Sequence, residues 1–407
     1  MGGGLVAALG RSTREELGDF LVSTRLRLFT TANAIAIGLF LRLCTAAWNS
    51  LLGPSFGAEP DAAGFHASAT AYAQGLRLVD FQLSNTYTYA LGLIYTYTDS
   101  SLFLGCSLSC FAWLCSAYVL VKMMKLLAVP ETQQVWGMFL YSLLPSTLLM
   151  TSVTLREAYQ LLAVNCVVYL ALCMCISRRL EFKVMLLMFV SIVCMGLLQA
   201  ALLPAGLCIA ALAILFVFFE QGGPHSLPKI IIGIFVFLLV AYLSSSTLLQ
   251  KLFNSDLNLA AAVQERQGSW QQSARASYST GMRVTSNFDL ILFAPVSLFH
   301  YLFEPMPWKI ATVPDAALFI ENLIRASLLG FVAAGFIMKA FAEKQRVALV
   351  FLAYVVIETI WALGTINWGT AVRHHIPAFG LLVLSAFAYS TKPVCLPIRE
   401  NNDAVVK

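Results

Sequence analysis

Residues 102–121 read LFLGCSLSCFAWLCSAYVLV, twenty positions without a charge, and Lys122 and Lys125 follow at once. Residues 159–176, YQLLAVNCVVYLALCMCI, repeat the pattern and run into Arg178 and Arg179. A helix of about 20 apolar residues spans a hydrocarbon core of about 30 Å, and cations gather where such helices end on the cytoplasmic side. Working outward, further apolar runs occupy 28–52, 135–149, 184–201, 203–219, 230–249, 317–338, 347–363 and 376–389. The expected fold is therefore an all-α integral membrane protein of about ten transmembrane helices. The fifth and sixth form a tight pair turned near Pro204.

Composition excludes a soluble globular domain. Hydrophobic residues make up 59% of the 407, and charged residues only 12%, about half the share usual in soluble domains. The net charge of +5 carries no nucleic-acid inference, because the side on which cations sit matters more than their sum. Most of the 10 cysteines fall inside apolar runs without paired spacing or flanking histidines, so they read as packing groups rather than zinc ligands. No cleavable leader is expected, since the charged stretch 11–27 separates the start from the first apolar run.

Ten alternating spans place one set of cations together: Arg11, Arg14, Arg25, Arg27, Lys122, Lys125, Arg178, Arg179, Lys183, Lys229, Lys339, Lys344, Arg346, Lys392, Arg399 and Lys407. That side is expected to be cytoplasmic, with both termini. Residues 1–27 form a cytoplasmic N-terminal segment, 28–391 a polytopic membrane domain, and 392–407 a cytoplasmic tail. Two long loops, about 53–101 and 250–314, then face outward and carry interfacial helices. The run 290–303, interrupted by Pro295, is read as interfacial, with Tyr301 and Trp308 as headgroup-level anchors.

Candidate chemistry gathers on that outer side. Asp61 opens an Ala-rich helix in the first loop, either as a helix cap or as a carboxylate able to take a proton from a hydroxyl. Arg156-Glu157 sits at the mouth of the fourth span, as a snorkelling pair or as a phosphate cation oriented by its neighbour. Arg373-His374-His375 opens the last span. Adjacent helical residues point about 100° apart, which argues against a metal site, while three donors at a helix start suit an anion. Inside the membrane, Arg42 and Glu358 are costly groups that either pair with each other or touch substrate. Arg266, Arg275, Arg283 and Glu304 are possible substrate-loop residues.

The order of these features resembles the GT-C superfamily of membrane glycosyltransferases. The resemblance rests on Phe40-Leu41-Arg42-Leu43, Pro60-Asp61-Ala62 with Phe65 and Ala69, Pro145-Ser146, Leu155-Arg156-Glu157, Pro305-Met306-Pro307-Trp308, and the Arg/His group before the final span. It covers most of the chain through short motifs. It implies a catalytic base at Asp61 and lipid-phosphate contacts at Arg156, Arg373 and His374 or His375. The donor would be a polyprenyl-linked sugar, as phosphate or diphosphate, and the acceptor a glycan or lipid-linked molecule at the outer face of the inner membrane. No cofactor is expected. A single Asp stands where many relatives carry a paired acidic motif, which leaves a divalent metal open. Two alternatives stand beside this reading. One is an O-antigen or exopolysaccharide polymerase gripping diphosphate through Arg266, Arg275 and Arg283. The other is a lipid-linked sugar flippase or transporter, disfavoured because span interiors read as apolar apart from Arg42 and Glu358.

Overall fold

A computed structural model describes residues 30–53, 61–76, 85–220, 276–278, 287–338 and 341–389. The expected seventh span, both terminal segments, and Arg266, Arg275 and Arg283 lie outside the described residues. Within them the regular elements are helices: α1 (Thr31–Leu51), α2 (Asp61–Ala73), α3 (Thr86–Tyr97), α4 (Leu102–Leu126), α5 (Glu131–Leu143), α6 (Pro145–Met150) and α7 (Glu157–Ser177). There follow α8 (Phe182–Leu198), α9 (Leu202–Glu220), α10 (Asn287–Phe303), α11 (Val313–Met338), α12 (Phe341–Gly364), α13 (Trp368–His374) and α14 (Ile376–Tyr389).

Among the described residues, α1, α4, α7, α11 and residues 345–364 of α12 are five helices long and apolar enough to cross a membrane. The α13–α14 pair, bent by 64°, makes a sixth if it counts as one span. This is an architecture compatible with a membrane protein. Three of the other expected elements, α8, α9 and the 290–303 segment, are shorter apolar helices. The expected span 135–149 is two helices, α5 and α6, with a break between them.

Local sequence sets the ends. Thr30 caps α1 by accepting from the Asn33 N–H at 3.1 Å, and Ser101 caps α4 through Leu104, each satisfying an otherwise orphaned amide. The tight turns after α4 and α7 use left-handed residues, Ala128 and Arg178 (φ 53° each). Pro204 falls in the first turn of α9, where its missing N–H costs nothing. The hairpin closes because Gly196 meets Leu203 and Gly206 meets Ile192.

α14 lies at the centre, with all of its residues but Phe387 buried, as suits a helix apolar on every side. It packs on α12, α11, α7 and α5. Trp113, Tyr141 and Phe379 stack in series and link α4, α5 and α14 at centroid distances of 6.0 and 6.3 Å. A small polar network fastens α7 to the same place: Asn165 donates to Ser116 Oγ at 2.8 Å, and Ser116 bonds the Tyr141 hydroxyl at 2.7 Å. Such bonds join helices where hydrophobic contrast with lipid is lacking. Gly38 lets α1 lie against Trp113 and Ser142, and Gly335 lets α11 lie against Tyr389, where a Cβ would overlap in both cases.

The break between α5 and α6 explains two buried charges. Leu144 is extended (ψ 120°), so the helical bond from Ser146 N–H to the Ser142 carbonyl is not made. Both groups are buried, and in a low-dielectric interior each needs a partner. Arg42 of α1 donates to the Ser142 carbonyl at 2.8 Å, and Glu321 of α11 accepts from Ser146 N–H at 2.8 Å. A cation at a helix C-terminus and an anion at a helix N-terminus also match the two dipoles. Arg42 further donates to Thr151 Oγ1 at 2.8 Å and lies over the Trp113 ring at 3.6 Å. It does not pair with Glu358, which bonds His375 instead. The expected Arg42–Glu358 pair is corrected: the bare carbonyl of the broken helix claims the arginine.

Candidate functional site

The loop helix α2 is laid onto the bundle by Thr154, whose hydroxyl donates to the Ala62 carbonyl at 2.7 Å. Its other side packs on α3, with Phe65 edge-on to Tyr87 at 5.2 Å and His66 Nδ1 3.0 Å from the Tyr95 hydroxyl. Burial pulls His66 below its ordinary pKa. Asp61 is the first residue of α2, so this docking fixes where its carboxylate starts.

α13 is positioned from three directions. Asn367 caps it by accepting from Gly369 N–H at 2.8 Å. Trp368 donates its indole N–H to Asp315 at 3.0 Å. Residues 276–278 bridge to it, with Tyr278 N–H on the Ile366 carbonyl and Trp368 N–H on the Ala276 carbonyl. One turn later Arg373 reaches two carboxylates at once. Its Nε and Nη2 donate to one oxygen of Glu157, at 2.8 and 2.6 Å, and its Nη1 pairs with Asp61.

Residues 61, 157 and 373, from three distant parts of the chain, thus meet at one end of the bundle. They are not equivalent. The Glu157 side chain is 4% exposed, Arg373 16% and Asp61 51%. Glu157 is an anchor for the guanidinium from below, and Asp61 is the member that solvent or a ligand can reach. The other Glu157 oxygen, Oε2, is buried without a hydrogen-bond partner. Lys122, Lys125, Arg178, Arg179 and Arg346 lie at the opposite ends of their helices from this cluster.

Several expected contacts are rearranged. Glu157 orients Arg373 rather than its neighbour Arg156, because consecutive helical side chains diverge by about 100°. Arg156 lies over the Phe65 ring at 5.7 Å and donates to the Leu198 carbonyl at 3.3 Å, still beside α2. His374 stacks on Trp361 at 3.8 Å and bonds Thr365. His375 is corrected as a phosphate ligand: it is buried, with Nδ1 on Glu358 at 2.6 Å and Nε2 on the Tyr301 carbonyl at 3.2 Å. Glu304 is corrected as a substrate-loop group, since it is buried and tied to Lys309 at 2.6 Å, to His300, and to the Met306 amide. Tyr301 is wholly buried and so is no headgroup anchor, whereas Trp308 is exposed. Among the described residues no group of three or more His, Cys, Asp or Glu is arranged to hold a metal ion.

Sequence reasoning passed over Glu321, Asn322 and Arg325 in α11. Arg325 donates to Asn322 at 2.7 Å and to Glu321 at 3.3 Å, and Asn322 donates to the Glu304 carbonyl at 2.7 Å. The available signal was an acid and a base four residues apart inside an apolar run, a pair that shares one helix face.

Compared with known protein families, curated proteins and solved structures, the chain matches none.

Proposed function

We propose that the chain is a membrane glycosyltransferase that moves a sugar from a polyprenyl-linked donor to a hydroxyl of a glycan or lipid-linked acceptor. The observation that carries this reading is the half-exposed Asp61 held by Arg373, with Glu157 fixing the guanidinium from the buried side. In it, Asp61 takes the proton of the acceptor hydroxyl, whose oxygen attacks the anomeric carbon of the donor sugar. The bond from that carbon to the phosphate oxygen breaks, and the phosphate leaves with the electron pair. Arg373 turns from Asp61 toward the departing phosphate while Glu157 keeps it in place, and Arg156, beside α2, is the second cation. A positioned base contributes about 10²–10⁴-fold, and cations at the developing phosphate charge add to it. No cofactor enters the scheme. The proposed topology is ten spans in a GT-C-like arrangement, with both termini in the cytoplasm and the Asp61 end facing outward across the inner membrane.

Binding tests the donor class. The purified protein should retain a polyprenyl-phosphate sugar, and Arg156→Ala and Arg373→Ala should each weaken retention by roughly tenfold to a hundredfold, the worth of one charge-assisted bond. Unchanged retention in both variants contradicts the reading. One observation favours a second reading, transport of a lipid-linked sugar: Arg42, Glu321, Arg325, Glu358 and His375 are all buried in the bundle, so its interior is more polar than the sequence suggested. Movement of such a lipid across reconstituted vesicles, without sugar transfer, would replace the enzyme reading with this one.

A further inference from the structure

Of the buried ionisable groups, Arg42, Glu321 and Arg325 are accounted for by the α5–α6 break and its surroundings. Glu358 and His375 are not. His375 stands at the bend between α13 and α14, and its two ring nitrogens face two acceptors, Glu358 Oε2 at 2.6 Å and the Tyr301 carbonyl at 3.2 Å. A carbonyl only accepts, so Nε2 carries a hydrogen. A single further proton then lies between Nδ1 and Oε2. Whether it sits on the ring or on the carboxyl, the pair as a whole is neutral, which a low-dielectric interior tolerates.

That pairing uses only one carboxylate oxygen. Glu358 Oε1 has no hydrogen-bond partner, and the same holds for the Tyr301 hydroxyl, the Tyr354 hydroxyl and Arg325 Nε, all buried. Their side chains are grouped around Glu358. Tyr354 and Glu358 stand four apart on one face of α12, and the Tyr301 ring lies 4.2 Å from that of His375. Arg325 and both tyrosines fall within electrostatic reach of the Glu358 carboxylate. The Tyr301 hydroxyl lies beside the Glu358 carboxylate, and neither it nor Oε1 has a partner in hydrogen-bond geometry. One acceptor, one charged donor and two hydroxyls able to do either is the partner set that buried water requires. Unmet bonds at buried polar atoms are otherwise costly.

We infer that Glu358, Tyr301, Tyr354 and Arg325 form an internal water-binding site, with ordered water joining the free Glu358 oxygen to the two hydroxyls beside the His375 bend. The water gives the proton shared by His375 and Glu358 an exchange partner inside the bundle. This inference does not rest on the sugar-transfer reading.

Brief X-ray radiolysis of the full-length protein in lipid nanodiscs, in ¹⁸O-water, tests it. Hydroxyl radicals form where bound water lies, so ring oxidation reports water at buried residues. Tyr301, Tyr354 and Tyr141 are all nearly inaccessible (0%, 2% and 0%), but the Tyr141 hydroxyl is satisfied by Ser116. The expected result is oxidation of Tyr301 and Tyr354 severalfold faster than Tyr141, with ¹⁸O incorporated. Tyr354→Phe should slow labelling at Tyr301, through loss of a water partner. Equal slow rates at the three tyrosines would overturn the inference. Equal fast rates that include Phe379, buried on the neighbouring α14, would overturn it as well, since they signal general opening of the bundle.

Discussion

Replacing Glu321 by leucine removes the acceptor of the Ser146 amide and the carboxylate beside Arg325 in one step. The stranded amide costs about 1–3 kcal/mol. The stranded cation costs more, about 3–5 kcal/mol, because a buried charge has lost its counter-charge. Adding Arg325→Met to the same chain removes the second cost. It introduces a smaller one, about 1 kcal/mol, for the bond to Asn322 and the long bond to Ser146 Oγ. The double variant is therefore expected to be more stable than Glu321→Leu alone by about 2–4 kcal/mol, although it carries one more mutation. Reversible unfolding in mixed micelles, followed by near-ultraviolet circular dichroism, measures the difference. If the double variant is the less stable of the two, Arg325 is not balanced by Glu321.

Gly335→Val should destabilise the bundle by about 1–3 kcal/mol by overpacking α11 against Tyr389, read as a lowered midpoint in the same unfolding experiment. His66 titrates below its ordinary value of 6.5 because it is part-buried. Its contribution to α2 docking is thus full above that value and is lost as pH falls through the lower folded one. Amide exchange of the 61–73 peptide should quicken on acidification in the parent and less so in His66→Gln; equal pH responses would dismiss the role. A single cysteine at Leu180, on a cysteine-reduced background, should react only with reagent on the cytoplasmic side. Labelling from outside alone inverts the proposed topology.

The long helices were legible because their signal is local: 102–121, 159–176 and 347–363 each lie inside an observed helix. Their charged ends were equally plain, and Asp61 and Arg373 do share one end of the bundle. The break at Leu144 was harder to see. Pro145 sits at the first position of α6, where proline is at home, so the apolar run reads through it. Side-chain partners were the least legible. Chain adjacency suggested Glu157 for Arg156, and depth in the span suggested Arg42 for Glu358. In both cases the partner comes from another helix, and which helix it is depends on close approaches such as that of Gly38 to Trp113 and Ser142. Glu321 and Arg325 were visible as a spaced pair, but their use depends on a bare amide on α6 that only the fold exposes.

In the proposed reaction Asp61, held by Arg373, is the base of the sugar transfer. Turnover of a polyprenyl-linked sugar by Asp61→Asn is the direct test, because asparagine keeps the shape of the side chain but cannot take the proton. The expected result is a loss of about 10²–10⁴-fold in turnover with donor retention near that of the parent. Full turnover by Asp61→Asn would contradict it.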